Sequence, residues 1–106
     1  MAIYRDRIES AIKVLLTSGF CIENAVESEK HFGDTIITLT GKVSKLQFLS
    51  DRGQLFVSIA ERSSSTWQDL RDALDNIGAQ HPAGPWPSAI DAVQAIQEHR
   101  NELSLS

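Results

Sequence analysis

The fold of this chain is decided by a central stretch, Ser50-Asp51-Arg52-Gly53-Gln54, that joins two segments of alternating apolar and polar residues. The segments before and after it, 45–50 and 55–61, have the period of half-buried β-strands. Asp tolerates turn geometry, and Gly accepts a positive φ without steric cost. We therefore expect a β-hairpin here, with a type I turn over 50–53 and Gly53 in the left-handed region.

Two more segments, 20–28 and 35–40, are also rich in β-branched or aromatic residues, and the strand before the central turn is expected to extend over 43–50. Consecutive strands joined by short turns predict an antiparallel meander of four strands. In the first strand we expect a bulge near Asn24 and an inward position for Phe20, Ile22 and Val26.

Two segments have the 3.6-residue apolar period of amphipathic helices. The first, 4–18, forms one apolar stripe and is followed by Gly19, which supplies a left-handed C-terminal cap. The second has Ser65 or Thr66 as its N-cap and Gly78 at its end. Its buried stripe is predicted to contain Trp67, Leu70, Leu74 and Ile77.

The C-terminal part of the chain begins with a Pro-rich loop, 79–87, because prolines do not propagate a helix or a central strand. Ser88 then caps a third helix, 88–103, whose Ala-rich stripe predicts loose packing. The chain is thus predicted to be a single α+β domain with a core over 4–78. Its helices pack on one face of the sheet, and the C-terminal helix is an addition.

The composition is that of an ordinary globular protein, with 42% hydrophobic and 23% charged residues in 106. No apolar run approaches the length that spans a bilayer, and the N-terminus lacks the apolar core of a signal peptide. The single cysteine, Cys21, cannot form an internal disulfide. These features predict a cytoplasmic protein that does not associate with membranes.

The net charge of −4 is confined to the C-terminal part of the chain. Residues 1–65 contain eight acids and eight bases, whereas 66–106 contain six acids and two bases. An acidic balance argues against nucleic-acid binding, which requires Lys and Arg to neutralise phosphates. It is compatible with a basic protein partner, although it could also serve only to keep the domain soluble.

No catalytic, metal or cofactor site is predicted. The three histidines, His31, His81 and His99, lack metal-ligand spacing and are expected at the solvated surface. Neither a nucleophile elbow nor a phosphate-binding glycine loop is present. A small enzyme built on Cys21 and a histidine is conceivable, but a buried, inert cysteine is the commoner situation.

The candidate binding residues lie on the second helix and in the Pro-rich loop. Asp69, Asp72 and Asp75 recur every three residues on one side of the helix, as a solvated face or as a patch that meets a basic partner. Trp86, between Pro85 and Pro87, is either a rigid binding residue or an anchor that holds the loop on the core.

The hairpin tip supplies two more candidates, Asp51 and Arg52. Asp51 is expected to accept hydrogen bonds from the backbone of its own turn. Both side chains could also face a partner, because loops at the surface often contribute to binding.

Parts of this sequence resemble small immunity proteins of bacterial polymorphic toxin systems, including those of contact-dependent inhibition. The resemblance follows an α-β-β-β-β-α order over roughly 4–78 and involves Phe32-Gly33-Asp34, Phe48-Leu49-Ser50-Asp51-Arg52-Gly53-Gln54 and Trp67-Gln68-Asp69-Leu70. It implies a cytoplasmic protein without catalytic residues that neutralises one cognate toxin, often a nuclease. The contacting residues of such proteins differ from pair to pair, so the resemblance assigns no site residue.

The expected function is therefore that of a non-enzymatic immunity protein that binds a basic toxin, such as a nuclease, through an acidic surface. The alternative is a small regulatory or phage-encoded inhibitor that binds a host protein. The sequence leaves open whether the third helix pairs with its own copy in a homodimer.

Overall fold

The computed structural model describes residues 3–27, 35–51 and 54–103, and within them the side chains of 8–26, 35–51 and 54–103. In these ranges the chain forms one antiparallel sheet and three helices, which confirms the predicted α+β fold. The strands are β1 Cys21–Glu27, β2 Thr35–Thr40, β3 Ser44–Asp51, β4 Gln54–Glu61 and β5 Gln68–Asp69, and they lie in chain order. The helices are α1 Ile3–Thr17, α2 Leu70–Asn76 and α3 Ala89–Glu98.

The central hairpin pairs β3 with β4 from Ser44 opposite Glu61 to Asp51 opposite Gln54. Two residues, 52 and 53, therefore connect the strands, and the predicted turn type falls on positions outside the described residues. The register places Leu46 opposite Ile59 and Phe48 opposite Val57, so these four side chains share one face of the sheet.

This inner face of the sheet forms the core together with all three helices. Its residues Ile37, Leu39, Leu46, Phe48 and Val57 are completely buried. They belong to one cluster with Ile12 and Leu15 of α1, Leu70 and Leu74 of α2, and Ile96 of α3. The prediction that the helices pack on one face is thereby confirmed, as antiparallel sheets with one covered face commonly show.

The first strand departs from the prediction in its orientation. Phe20 is buried as expected, with 1% of its surface exposed. Ile22 lies opposite the buried Leu39 and so faces inward as predicted, but 45% of its surface is exposed. Val26 is 49% exposed, and its predicted inward position is wrong. Because β1 is an edge strand, it has a neighbour on one side only. The expected bulge is present as a register shift between Ile22 and Asn24, which places Val26 opposite Ile36 on the outer face.

The second helix begins later than predicted, at Leu70, with Asp69 and not Ser65 or Thr66 as its N-cap. Gln68 and Asp69 pair instead with β4 as a fifth strand, because the backbone groups before the helix find ladder partners there. Trp67 consequently lies outside α2 and is half-buried, with its ring 4.9 Å from Nζ of Lys45. The prediction that Trp67 belongs to a buried helical stripe is wrong.

The third helix is capped by Ser88, whose hydroxyl accepts a hydrogen bond from the Asp91 amide at 3.2 Å, as predicted. It ends at Glu98, five residues before the predicted boundary at 103, and turns follow it. Its stripe is fully buried, with Ala92 and Ile96 at 0% exposure, so the predicted loose packing is wrong. The small alanines allow close approach of the neighbouring α1. No helix in the described ranges has the length and apolarity needed to cross a bilayer.

Candidate functional site

The three aspartates predicted as an acidic face occupy different environments, beginning with Asp69. Its carboxylate accepts a hydrogen bond of 2.8 Å from the Arg71 backbone amide, and this bond caps the N-terminus of α2. The same carboxylate also accepts hydrogen bonds from Nε and Nη2 of the Arg71 side chain, at 3.0 and 3.2 Å, which makes a bidentate ion pair. The hydrogen bonds that Arg71 donates to Asp69 raise the pKa of the Arg71 guanidinium above its ordinary value. The charge of Asp69 is thus largely compensated within the chain.

Asp72 is exposed in the first turn of α2, where the helix dipole favours a negative charge. Its carboxylate acts on Arg71 through space and contributes to the raised pKa of that side chain. Of the three aspartates, Asp72 presents its charge most directly to solvent.

Asp75, at the other end of α2, is bonded to the Pro-rich loop. Its Oδ1 lies 2.6 Å from Nε2 of His81, and Nδ1 of the same ring lies 2.6 Å from the Pro82 carbonyl oxygen. The Pro82 carbonyl, followed by the Asp75 carboxylate, raises the pKa of His81. The Asp75 side chain is still 65% exposed, against 19% for His81, so a partner could approach the carboxylate from its solvent side.

Both arginines of residues 66–106 have partners within the fold. Arg71 is paired with Asp69, and its guanidinium lies 5.7 Å from the ring centre of Phe56. Arg100 donates from Nη2 to the Ser18 carbonyl oxygen at 2.7 Å. The exposed charged side chains of α2 and α3 are therefore acidic: Asp72, Asp75, Asp91 and Glu98. Asp72 and Asp75 together are called the α2 acidic surface below.

The sequence prediction missed the two internal partners of these aspartates. Arg71 could have been found from its position two residues after a capping aspartate, once the helix start was known. His81 could not, because its approach to Asp75 depends on the path of the Pro-rich loop. The expectation of a solvated His81 is wrong, since the ring is largely covered and bonded at both nitrogens.

Trp86 lies inside the core with 6% of its surface exposed. Its amide donates to the Leu55 carbonyl oxygen at 2.8 Å, and the two residues form an isolated bridge beside β4. Trp86 therefore anchors the Pro-rich loop to the sheet, which was one of its two predicted roles, and it offers no exposed ring to a partner. Its indole Nε1 is buried without a hydrogen-bond partner among the described residues.

Of the two hairpin-tip candidates, Asp51 lies within the described residues. Asp51 is exposed at the end of β3, opposite Gln54. Arg52 lies outside the described residues. A binding role for the tip stays a prediction.

Of the residues considered for catalysis or metal binding, Cys21, His81 and His99 lie in the described ranges, and His31 lies outside them. No group of three or more His, Cys, Asp or Glu side chains in the described ranges could hold a metal ion. Cys21 is exposed at the first position of the edge strand, so the expectation that it is buried is wrong.

The outer face of the sheet has an apolar row that crosses four strands. Val26, Ile36, Leu49 and Phe56 are neighbours in successive strand pairs. Val26 and Ile36 are 49% and 38% exposed, and the guanidinium of Arg71 lies beside Phe56. Exposed apolar side chains in a contiguous row are typical of interaction surfaces.

An apolar concavity lies between α1 and α3, with a volume of about 650 Å³. Val14 and Ile90, which are 51% and 57% exposed, lie on its walls above the buried Val93. Self-association through α3 stays a prediction.

No family model, curated protein or solved structure matches this chain. The function is therefore inferred from the chemistry of its surfaces.

Proposed function

We propose that this chain is a non-enzymatic protein-binding module that neutralises a basic toxin, in the manner of the immunity proteins it resembles. The observation that supports this most is the imbalance of exposed charge on α2 and α3. Arg71 and Arg100 are bound within the fold, whereas Asp72 is exposed and Asp75, although bonded to His81, keeps 65% of its side chain exposed. A surface of one charge sign attracts and orients a partner of the opposite sign.

The mechanism of neutralisation would be occlusion of the active site of the toxin, or of a surface close to it. Nucleases are suitable targets because the surfaces that bind nucleic-acid phosphates are rich in Lys and Arg. The α2 acidic surface would pair with those side chains and exclude the substrate. The cytoplasm is the proposed compartment, since the single Cys21 provides no internal disulfide.

The test compares Asp72→Lys/Asp75→Lys with the wild type in capture of a partner from the native cells. Asp69 is left unchanged because it caps α2 and pairs with Arg71. The captured protein is identified, produced recombinantly and assayed for toxicity, for binding by calorimetry and for protection of growing cells. Reversal of two close charge pairs is expected to weaken binding by about 100-fold or more and to abolish protection.

The control is Glu23→Lys/Glu61→Lys, which changes the net charge by the same amount at two exposed acids on β1 and β4. It should bind and protect like the wild type. If Asp72→Lys/Asp75→Lys binds the partner as tightly as the control variant does, the α2 acidic surface is not the binding site. A captured partner that is not toxic, and whose own activity is inhibited, would replace the immunity role with that of a regulatory or phage-encoded inhibitor.

A further inference from the structure

The contacts of His81 determine its charge. Both ring nitrogens lie 2.6 Å from oxygens, one in the Asp75 carboxylate and one in the Pro82 carbonyl group. A carboxylate and a carbonyl oxygen only accept hydrogen bonds, so each nitrogen must donate. Only the imidazolium form has a proton on both nitrogens, and a neutral ring would direct a lone pair at one of the oxygens. The arrangement therefore fits a positively charged His81.

We propose that His81 regulates the α2 acidic surface: as an imidazolium ion it occupies Asp75, and on losing its proton it leaves that carboxylate to a basic partner. This inference rests on the proposed function, because it concerns the same surface. His81 acts here as an internal competitor, since it places a positive charge where a lysine or arginine of the partner would bind.

The charged groups that act on His81 in the described part of the chain are both on α2. The Asp75 carboxylate favours the protonated ring, whereas Arg71 disfavours it. Together with the Pro82 carbonyl, which has the largest effect, they leave the pKa of His81 above its ordinary value of 6.5. The ring therefore keeps its proton to a higher pH than an ordinary histidine, and a change of pH through its titration alters the state of Asp75.

A cation of the partner placed at Asp75 would lie close to the imidazolium, because only 2.6 Å separates Nε2 from Oδ1. The two positive charges repel each other, so binding of the partner lowers the pKa of His81 and releases a proton. By linkage, the affinity of the partner must then rise as the pH rises through the titration of His81.

The experiment uses decalysine as the basic probe and measures its dissociation constant at about pH 6 and about pH 8, at one fixed ionic strength. Lysines and aspartates keep their charges over this interval, with ordinary pKa values of about 10.4 and about 3.9. Wild type is compared with His81→Gln and with the control His99→Gln. His99 is the other histidine in the described ranges and contacts Glu102 at 3.3 Å.

Wild type and His99→Gln are expected to bind decalysine several-fold more tightly at the higher pH, whereas the pH effect should be much smaller in His81→Gln. The same pH effect in His81→Gln and wild type would overturn the inference and leave the proposed function standing. Undiminished decalysine binding by Asp72→Lys/Asp75→Lys would instead show that the acidic surface is not the binding site.

A second measurement needs no ligand. The titration of His81 is followed by its ring-proton NMR signals in wild type and in Asp75→Asn, which keeps the shape of the side chain but removes its charge. The midpoint should move to lower pH in the variant. An unchanged midpoint would show that Asp75 does not hold the imidazolium, and the inference would be wrong.

Discussion

Arg100 donates from Nη2 to the carbonyl oxygen of Ser18 at 2.7 Å, and so ties the segment after α3 to the end of α1. The carbonyl groups at a helix C-terminus have no partners within the helix, and a cation there also meets the negative end of the dipole. The guanidinium lies 5.3 Å from the ring centre of Phe20, which is buried. One side chain thus joins α1, the start of β1 and α3.

Arg100→Met is therefore expected to destabilise the protein. It keeps the length of the aliphatic chain but removes the hydrogen bond to Ser18 and the cation over Phe20. A charged hydrogen bond contributes about 1.5–3 kcal/mol, so the free energy of unfolding in urea should fall by about that amount. Arg62→Met, at an exposed position, should change it by no more than about 0.5 kcal/mol. Equal losses in the two variants would contradict the proposed role of Arg100.

A second prediction concerns the start of α2. Asp69→Ala removes both the N-cap and the ion pair with Arg71, and should destabilise by about 1–2 kcal/mol. Asp69→Asn retains a side-chain oxygen that can cap the helix, so it should lose less. Asp72→Ala, on the exposed face, serves as the control and should have little effect. Chemical unfolding compares the three, and a loss in Asp72→Ala as large as that in Asp69→Ala would argue against the capping role.

A third prediction separates the two tryptophans. Trp86→Ala should cost about 3–5 kcal/mol because it empties a buried site that holds the loop against Leu55. Trp86→Phe should cost much less, since it fills most of the site and removes the buried Nε1. In Trp67→Phe the buried Trp86 is the one remaining tryptophan, and in Trp86→Phe it is the more exposed Trp67. Acrylamide should therefore quench the fluorescence of Trp67→Phe less than that of Trp86→Phe. The opposite order of quenching would show that Trp86 is accessible.

The central strands and the first helix could be predicted from the sequence to within one residue. The strand 35–40 has the predicted limits, and α1 ends just before Gly19, which has a φ of 106°. These elements have a clear period and a local end signal, and such information is contained in the sequence nearby.

The errors lie where the structure depends on distant residues. Val26 alternates with Ile22 like a core residue, but the bulge between Ile22 and Asn24 places Val26 on the outer face. Gln68 and Asp69 form a strand because Ile59 and Ser58, about ten residues earlier, offer them a ladder. The spacing of the aspartates was correct evidence for a shared helix, but it gave no indication that His81 returns to Asp75.

The last prediction is a pH dependence of stability that His81 should introduce. Its pKa is raised in the folded protein above the ordinary 6.5, through the Pro82 carbonyl and then Asp75, so the folded state binds its proton more tightly than the unfolded state does. The resulting stabilisation is complete below the unfolded pKa and is lost as the pH rises through the folded pKa. The difference in free energy of unfolding between wild type and His81→Gln should therefore be greatest in mildly acidic solution and shrink above neutrality. His99→Gln, measured in parallel by urea unfolding, is the control for replacing a histidine at another described position. A difference for His81→Gln that grows with increasing pH would have the wrong sign and would exclude the imidazolium contact.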